Sequence, residues 1–170
     1  MSRKVRAVWL SAAVALAALD LWSKSLWRYP PLGQGPPKAD TKVLIDNWLV
    51  IEPIYNPGGV WSLDINPNVL LVATLLAIPA VIAWILAAEK TTTWETAGKL
   101  LVLGGAIGNG YDRMKFAKVR DFINVYFGDL EGWHWPTFNI ADSSLVCGII
   151  LLLILSFFAK PGERKTGGAQ

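Results

Sequence analysis

Residues 69–88 form an uninterrupted run of twenty residues without a charged side chain. As an α-helix rising about 1.5 Å per residue, this run would be about 30 Å long, the thickness of the hydrocarbon core of a bilayer. Three further apolar runs lie at residues 7–27, 96–113 and 139–159, and the run at 96–113 is the weakest because it contains Lys99 and several glycines. Since 170 residues cannot enclose four such helices in a soluble core, the sequence predicts an all-α membrane protein with a bundle of four transmembrane helices.

The composition excludes several other classes of protein. The chain is 53% hydrophobic and 17% charged, which rules out a disordered chain. A single cysteine, Cys147, cannot form a disulfide within the chain, and the net charge of +3 gives no indication of nucleic-acid binding. With only one histidine, His134, the ligands for a metal site are too few. We therefore expect no metal or other cofactor, a polar tip at the membrane interface for His134, and a packed core thiol for Cys147.

The first apolar run has an alternative interpretation as a cleaved signal peptide, because Arg3, Lys4 and Arg6 precede it. A retained helix is favoured, since Asp20 and Lys24 continue the helical stretch and no A-x-A cleavage site follows. Basic clusters at both termini favour a cytoplasmic location for the chain ends. The basic cluster at residues 113–120 lies on the opposite side, so counting charges does not decide the orientation.

The loops on the side away from the termini carry most of the polar sequence signals. Residues 43–45 and 49–55 predict short strands, residues 56–59 a turn, and residues 60–63 a return strand, which together form a small extracytoplasmic β-sheet over residues 43–63. Residues 125–135, between the third and fourth helices, are aromatic and weakly amphipathic, as is typical of an interfacial segment. Residues 30–37 predict an irregular Pro-rich loop, and residues 160–170 a disordered tail of this single domain, 1–170.

Four aspartates are predicted at one membrane face, where an ionisable side chain is costly and therefore a functional candidate. Two of them have a structural interpretation: Asp20 can pair with Lys24 at i,i+4, and Asp112 with Arg113 can form a cap or an interhelical ion pair. The other two, Asp121 and Asp142, begin and end one loop and can meet. A simple helix-cap role for Asp142 also remains open.

Two carboxyl groups that share one site do not both ionise at low cost, so one stays protonated while the other acts as a base. Such a pair can activate water for attack on an amide carbonyl, which is the chemistry of aspartic proteases. The alternative is a small transporter or channel with buried Asp and Arg residues. A transporter is expected to show internal repeats and broken helices, and this sequence shows neither.

Five motifs together resemble lipoprotein signal peptidase, also called signal peptidase II: residues 20–24, 55–59, 108–113, 119–122 and 138–143. The resemblance implies a multi-pass aspartyl endopeptidase of the bacterial inner membrane, with both termini cytoplasmic and the active site near the outer face. It would remove the signal peptide from diacylglyceryl-modified prolipoproteins, cutting before the lipidated cysteine. The implied partners are these prolipoproteins, the lipid bilayer and globomycin-type inhibitors, with no nucleic acid.

By this resemblance, Asp121 and Asp142 are the catalytic pair and the sheet at 43–63 is a cradle for the substrate. The implied substrate-binding or supporting residues are Asn56, Gly58, Asn109, Asp112, Arg113, Asn139, Asp20 and Lys24. The chain departs from the family's usual N-T-G-A-A-F-S motif at residues 56–62, where it has Pro57 and Trp61. Gly104, Gly105 and Gly108 would let either neighbouring helices or a substrate helix approach closely.

Overall fold

The computed structural model describes residues 2–32, 41–57, 65–88, 91–128 and 132–158. Within these residues the chain forms four helices and three strands. In chain order they are α1 (Arg3–Ser25), β1 (Lys42–Ile45), β2 (Leu49–Asn56), α2 (Pro67–Ala87), α3 (Thr93–Phe116), β3 (Val119–Val125) and α4 (Ile140–Phe158). The predicted turn at 58–59, the return strand at 60–63, residues 33–37 of the Pro-rich loop and the tail at 160–170 lie outside the described residues.

An α-helix covers each of the four predicted apolar runs, with ends that differ from the predicted ones by up to four residues. Among the described residues, α1, α2 and α4 are long and apolar enough to cross a membrane. Helix α3 does not meet both of these conditions. The start of α3 lies before the predicted residue 96 because Thr92 and Glu95 form a capping box, with reciprocal hydrogen bonds of 3.1 and 2.9 Å.

Helix α3 lies at the centre of the bundle and packs against α1, α2 and α4. Its glycines allow this close approach. A Cβ atom at Gly105 would lie 2.5 Å from the carbonyl oxygen of Ala141, and one at Gly108 would lie 2.5 Å from Oδ2 of Asp20. The space beside these glycines is therefore filled by α4 and α1 of the chain itself, which is the helix-packing interpretation of the glycines. At the other end, Leu100 and Leu103 of α3 pack in an apolar core with Ala13 and Ile85.

The three strands form one antiparallel sheet in the order β1-β2-β3. The first two strands confirm the prediction, and a turn with Asn47 in a left-handed conformation joins them. The third strand was not predicted. It contains the motif at residues 119–122, and it places Asp121 in the sheet.

The segment after β3, predicted as interfacial, folds back along that strand. The backbone nitrogen of Trp135 donates to the carbonyl of Val125 at 2.8 Å, and that of Phe138 to Ile123 at 2.9 Å. Trp133 is 64% exposed, as an interfacial side chain would be. The interfacial location of this segment stays a prediction. The core location predicted for Cys147 is wrong, because its side chain is exposed on α4.

Candidate active site

Asp121 lies on β3 and is 1% exposed, and two side-chain amides donate hydrogen bonds to its carboxylate. Nδ2 of Asn139 donates to Oδ1 at 2.6 Å, and Nδ2 of Asn56 donates to Oδ2 at 2.9 Å. The buried carboxyl group is therefore hydrogen-bonded on both oxygens, which is what burial of a polar group requires.

A one-residue bulge in β2 brings Asn56 to Asp121. Ile51 pairs with Ile123 but Ile54 pairs with Asp121, so that Glu52 and Pro53 together lie opposite a single residue of β3. Because side chains alternate between the faces of a sheet, one extra residue moves all later side chains of β2 to the other face. Pro53 suits this position because it has no backbone N–H to donate. Without the bulge, Asn56 would be on the face away from Asp121.

Asp142 lies in the first turn of α4 and forms a reciprocal cap with Asn139. The backbone nitrogen of Asp142 donates to Oδ1 of Asn139 at 2.8 Å, and the backbone nitrogen of Asn139 donates to Oδ2 of Asp142 at 3.2 Å. Asn109 of α3 donates to the other carboxylate oxygen of Asp142 at 2.7 Å. The capping role considered for Asp142 is thus present, and it leaves the carboxylate facing the other polar residues.

Asn139 therefore contacts both acids, one through its side chain and one through its backbone. Its side-chain Nδ2 also lies 3.2 Å from Oδ1 of Asn109, which in turn accepts a hydrogen bond from Lys24 at 3.0 Å. Burial, followed by the nearby charge of Asp142, raises the pKa of Asp121 to about 8. The two carboxyl groups thus interact, and ionising both is unfavourable.

A second network lies beside this pair and is completely buried. Nζ of Lys24 lies 2.7 Å from Oδ2 of Asp20, as the i,i+4 spacing predicted, and 3.2 Å from Oδ2 of Asp112. The first contact is an ion pair without hydrogen-bond geometry. Asp20 also accepts a hydrogen bond from the backbone nitrogen of Ala141 at 2.9 Å, so that it stabilises the amino-terminal turn of α4.

Asp112 connects this network to β3 through Arg120, a residue for which the sequence motifs predicted no role. The guanidinium of Arg120 donates to Oδ1 of Asp112 at 3.0 and 2.7 Å, and the backbone nitrogen of Arg120 donates to Oδ2 at 3.0 Å. Aromatic rings of Tyr29 and Phe116 lie 5.9 and 5.0 Å from the guanidinium. Since Arg120 precedes Asp121, these contacts fix the backbone that carries the first acid.

The charges of these residues are nearly balanced. The half-buried Arg113 interacts electrostatically with Asp142, Asp121 and Asp112. Four carboxyl groups thus lie near three cationic side chains: Asp20, Asp112, Asp121 and Asp142 near Lys24, Arg113 and Arg120. One proton on the Asp121–Asp142 pair removes the excess negative charge.

All but one of the ten predicted site residues meet in these two networks, and the exception, Gly58, lies outside the described residues. The sequence reasoning missed Arg120, and it also missed a polar cluster on the opposite face of the sheet. There the buried Asn124 donates to Glu52 at 2.6 Å and lies 3.4 Å from the hydroxyl of Tyr126. The sequence of β3 gave no signal for either, because its polar residues at 120, 121 and 124 do not alternate with apolar ones.

The comparisons with known proteins agree with the fold and with the motifs. The profile described as Signal peptidase (SPase) II matches residues 12–158. The chain belongs to the signal peptidase II family. A lipoprotein signal peptidase of Geobacillus kaustophilus (strain HTA426) is 37% identical over 158 residues, 92% of this chain and 96% of that protein. One from Aquifex aeolicus (strain VF5) is 34% identical, covering 96% of this chain and 93% of that protein.

Solved structures share the fold of this signal peptidase II family member. A bacterial membrane enzyme determined by the in meso method at 2.3 Å resolution superposes with a TM-score of 0.74 at 23% identity, over 96% of this chain and 95% of that chain. A second such structure, at 1.9 Å resolution, gives a TM-score of 0.69 at 24% identity. The family match supports removal of signal peptides from prolipoproteins as the activity of this chain, and nothing in the comparisons supports the transporter alternative.

Proposed function

We propose that the chain is an intramembrane aspartyl endopeptidase that cuts diacylglyceryl-modified prolipoproteins before the lipidated cysteine, with Asp121 and Asp142 as the catalytic pair. The observation that carries this proposal is the position of Asn139, which hydrogen-bonds both carboxyl groups at 2.6 and 3.2 Å. Because its side-chain amide binds one acid and its backbone N–H binds the other, Asn139 fixes the separation of the two carboxyl groups, as a reaction using both requires.

In the proposed mechanism the Asp121–Asp142 pair holds one proton. The ionised carboxylate takes a proton from a water molecule, whose oxygen attacks the carbonyl carbon of the scissile peptide bond. The protonated carboxyl group donates a hydrogen bond to the carbonyl oxygen and stabilises the developing negative charge. The amine leaves after it has received a proton from the pair, and the pair returns to its starting protonation state. The raised pKa of Asp121 supports a proton shared within the pair at neutral pH.

The remaining predicted residues have supporting roles in this proposal. Asn56, Asn109 and Asn139 orient the acids, and Arg113 offsets the charge of the ionised carboxylate. Asp20, Lys24 and Asp112 hold α1, α3 and α4 together around the pair. Gly58 belongs to the proposed cradle by resemblance alone.

We further propose that all four helices span the bacterial inner membrane, with both termini in the cytoplasm and the catalytic pair near the outer face. In this arrangement α3 is the fourth span, and its polar residues are shielded because the other helices surround it. The sheet then lies outside the membrane as the substrate cradle. Its exposed apolar residues, such as Val43, Leu44 and Trp48, support contact with the bilayer surface or a lipidated substrate.

A cleavage assay with two matched substrates tests the proposed function. The purified full chain is incubated with a prolipoprotein peptide that carries a diacylglyceryl cysteine, and with the same peptide carrying an unmodified cysteine. We expect one new amino terminus at the lipidated cysteine, no cleavage of the unmodified peptide, and inhibition by a globomycin-type cyclic peptide. Equal cleavage of both peptides, or cleavage at another bond, would contradict the proposed specificity.

A further inference from the structure

A groove on the bundle lies far from the catalytic pair, at the end that carries the start of α1 and the end of α4. Its volume is about 290 Å³, and its lining comes from α2, α3 and α4. The walls are mainly apolar, from Ile149, Leu152 and Leu153, and Trp84 lies at the edge. Ile149, Leu153 and Trp84 are each about half exposed, so the groove opens toward the surrounding bilayer.

Two opposite charges lie in this groove, on one face of α3. Lys99 is 5% exposed, with its ammonium 4.4 Å from the centre of the Trp84 ring. No carboxylate of the described residues forms a salt bridge with it, although Glu95, one turn earlier, lines the same groove. The carboxylate of Glu95 accepts a hydrogen bond from the backbone of Thr92 and retains further acceptor capacity.

A buried cation in a membrane protein normally has a close anionic partner, whereas Lys99 has the ring of Trp84 and the longer-range attraction of Glu95. Here the arrangement is a cation and an anion one helical turn apart, with an apolar wall beside them. A zwitterionic headgroup with a phosphate and a primary ammonium matches both charges, and an acyl chain matches the wall. A choline headgroup has no N–H group to donate a hydrogen bond to Glu95, and a glycerol headgroup supplies no cation of its own to Glu95.

We propose that this groove binds a phospholipid with an ethanolamine headgroup, whose phosphate pairs with Lys99 and whose ammonium pairs with Glu95. The acyl chain of the lipid lies along Ile149, Leu152 and Leu153. The site is separate from the Asp121–Asp142 pair, so it does not depend on the proposed catalytic mechanism.

Native mass spectrometry of the full chain in detergent tests this site. The protein is titrated with phosphatidylethanolamine, phosphatidylglycerol and phosphatidylcholine of identical acyl chains. We expect tightest retention of phosphatidylethanolamine, and about tenfold weaker retention by Lys99→Met, because a charge-assisted hydrogen bond is lost. Lys4→Met, which removes an exposed cation at the same end of the bundle, is the matched control and should retain the lipid as the wild type does.

A second variant tests the headgroup assignment. Glu95→Gln preserves the capping box with Thr92, because Gln can also occupy that position, but it removes the negative charge. It should lose the preference for phosphatidylethanolamine over phosphatidylglycerol. Equal retention of all three lipids by the wild type would overturn the assignment, and so would unchanged binding by Lys99→Met.

If Lys99→Met does not fold, Leu153→Trp provides the same test, because it fills the groove and leaves both charges in place. Lipid retention by Leu153→Trp equal to that of the wild type would then overturn the proposal. Peptide cleavage by these variants in lipid-free detergent is expected to match that of the wild type. Failure of the lipid site and failure of the proposed peptidase activity are therefore distinguishable.

Discussion

Asn139 donates its side-chain amide to Oδ1 of Asp121 at 2.6 Å. The same residue is the cap of α4, where its backbone nitrogen donates to Asp142. One side chain thus joins the strand that carries the first acid to the helix that carries the second. Asn139 therefore holds the two carboxyl groups relative to each other.

Replacing Asn139 by Ala is expected to lower kcat about 100-fold, because a displacement of reacting groups by about 1 Å has an effect of this size. Loss of the cap should also destabilise the protein by about 1 kcal/mol. Asn66→Ala is the matched control, since Asn66 caps α2 through a 2.9 Å hydrogen bond away from the acids. Equal losses of activity in the two variants would show that Asn139 acts through stability alone.

The pH dependence of cleavage should reflect the raised pKa of Asp121, about 8. Activity requires one proton on the acid pair, so kcat/KM should fall as the pH rises above about 8 and that proton is lost. The hydrogen bond from Asn56 stabilises the ionised form and lowers this pKa. In Asn56→Ala the alkaline decline should therefore move to higher pH. A decline at unchanged pH would mean that Asp121 does not control it.

Gly108 should not tolerate a side chain, because a Cβ there would lie 2.5 Å from Oδ2 of Asp20. We expect Gly108→Ala to displace Asp20 and destabilise the protein by about 1–3 kcal/mol, the usual effect of overpacking. Gly110→Ala is the control on the same helix, since its nearest contact would be the methyl group of Thr74 at 3.1 Å. Thermal unfolding in detergent measures the stability of both variants. Equal unfolding midpoints for Gly108→Ala and Gly110→Ala would argue against the close approach of α1 and α3.

Removal of the charge at Asp112 should lower the stability of the protein more than removal of the charge of its partner Arg120. Asp112→Asn leaves the buried Lys24 with one carboxylate fewer and leaves Arg120 without one, which predicts a loss of about 3–5 kcal/mol. Arg120→Met should cost less, because Asp112 retains Lys24 and Arg120 is itself partly exposed. The comparison is made by thermal unfolding, and a greater loss in Arg120→Met would contradict the network described here.

The sequence predicted the positions of the helices better than it predicted which of their faces contact protein. A run such as residues 69–88 indicates a helix by its length and lack of charge. It does not indicate which face meets protein and which meets lipid, because both are apolar. The location of Cys147 was predicted wrongly for this reason. The weakest predicted helix, α3, is the central one, and its polar residues are buried by its neighbours.

The polar residues of the site were found by their motifs, whereas most of their contacts were not. The Asp20–Lys24 pair and the cap between Asn139 and Asp142 follow from local spacing. The contact of Asn56 with Asp121 depends on a strand pairing between distant segments and on a bulge at Pro53. The ion pair of Arg120 with Asp112 depends on the turn between α3 and β3. Such contacts arise from tertiary structure and have no local pattern.

The decisive experiment for the catalytic pair compares cleavage of the diacylglyceryl prolipoprotein peptide by the wild type, Asp121→Asn and Asp142→Asn. Asn keeps the shape of each side chain but removes its acid–base function. We expect each variant to fold like the wild type by thermal unfolding and to lose cleavage by at least about 100-fold. Wild-type cleavage by either folded variant would contradict the assignment of the catalytic pair.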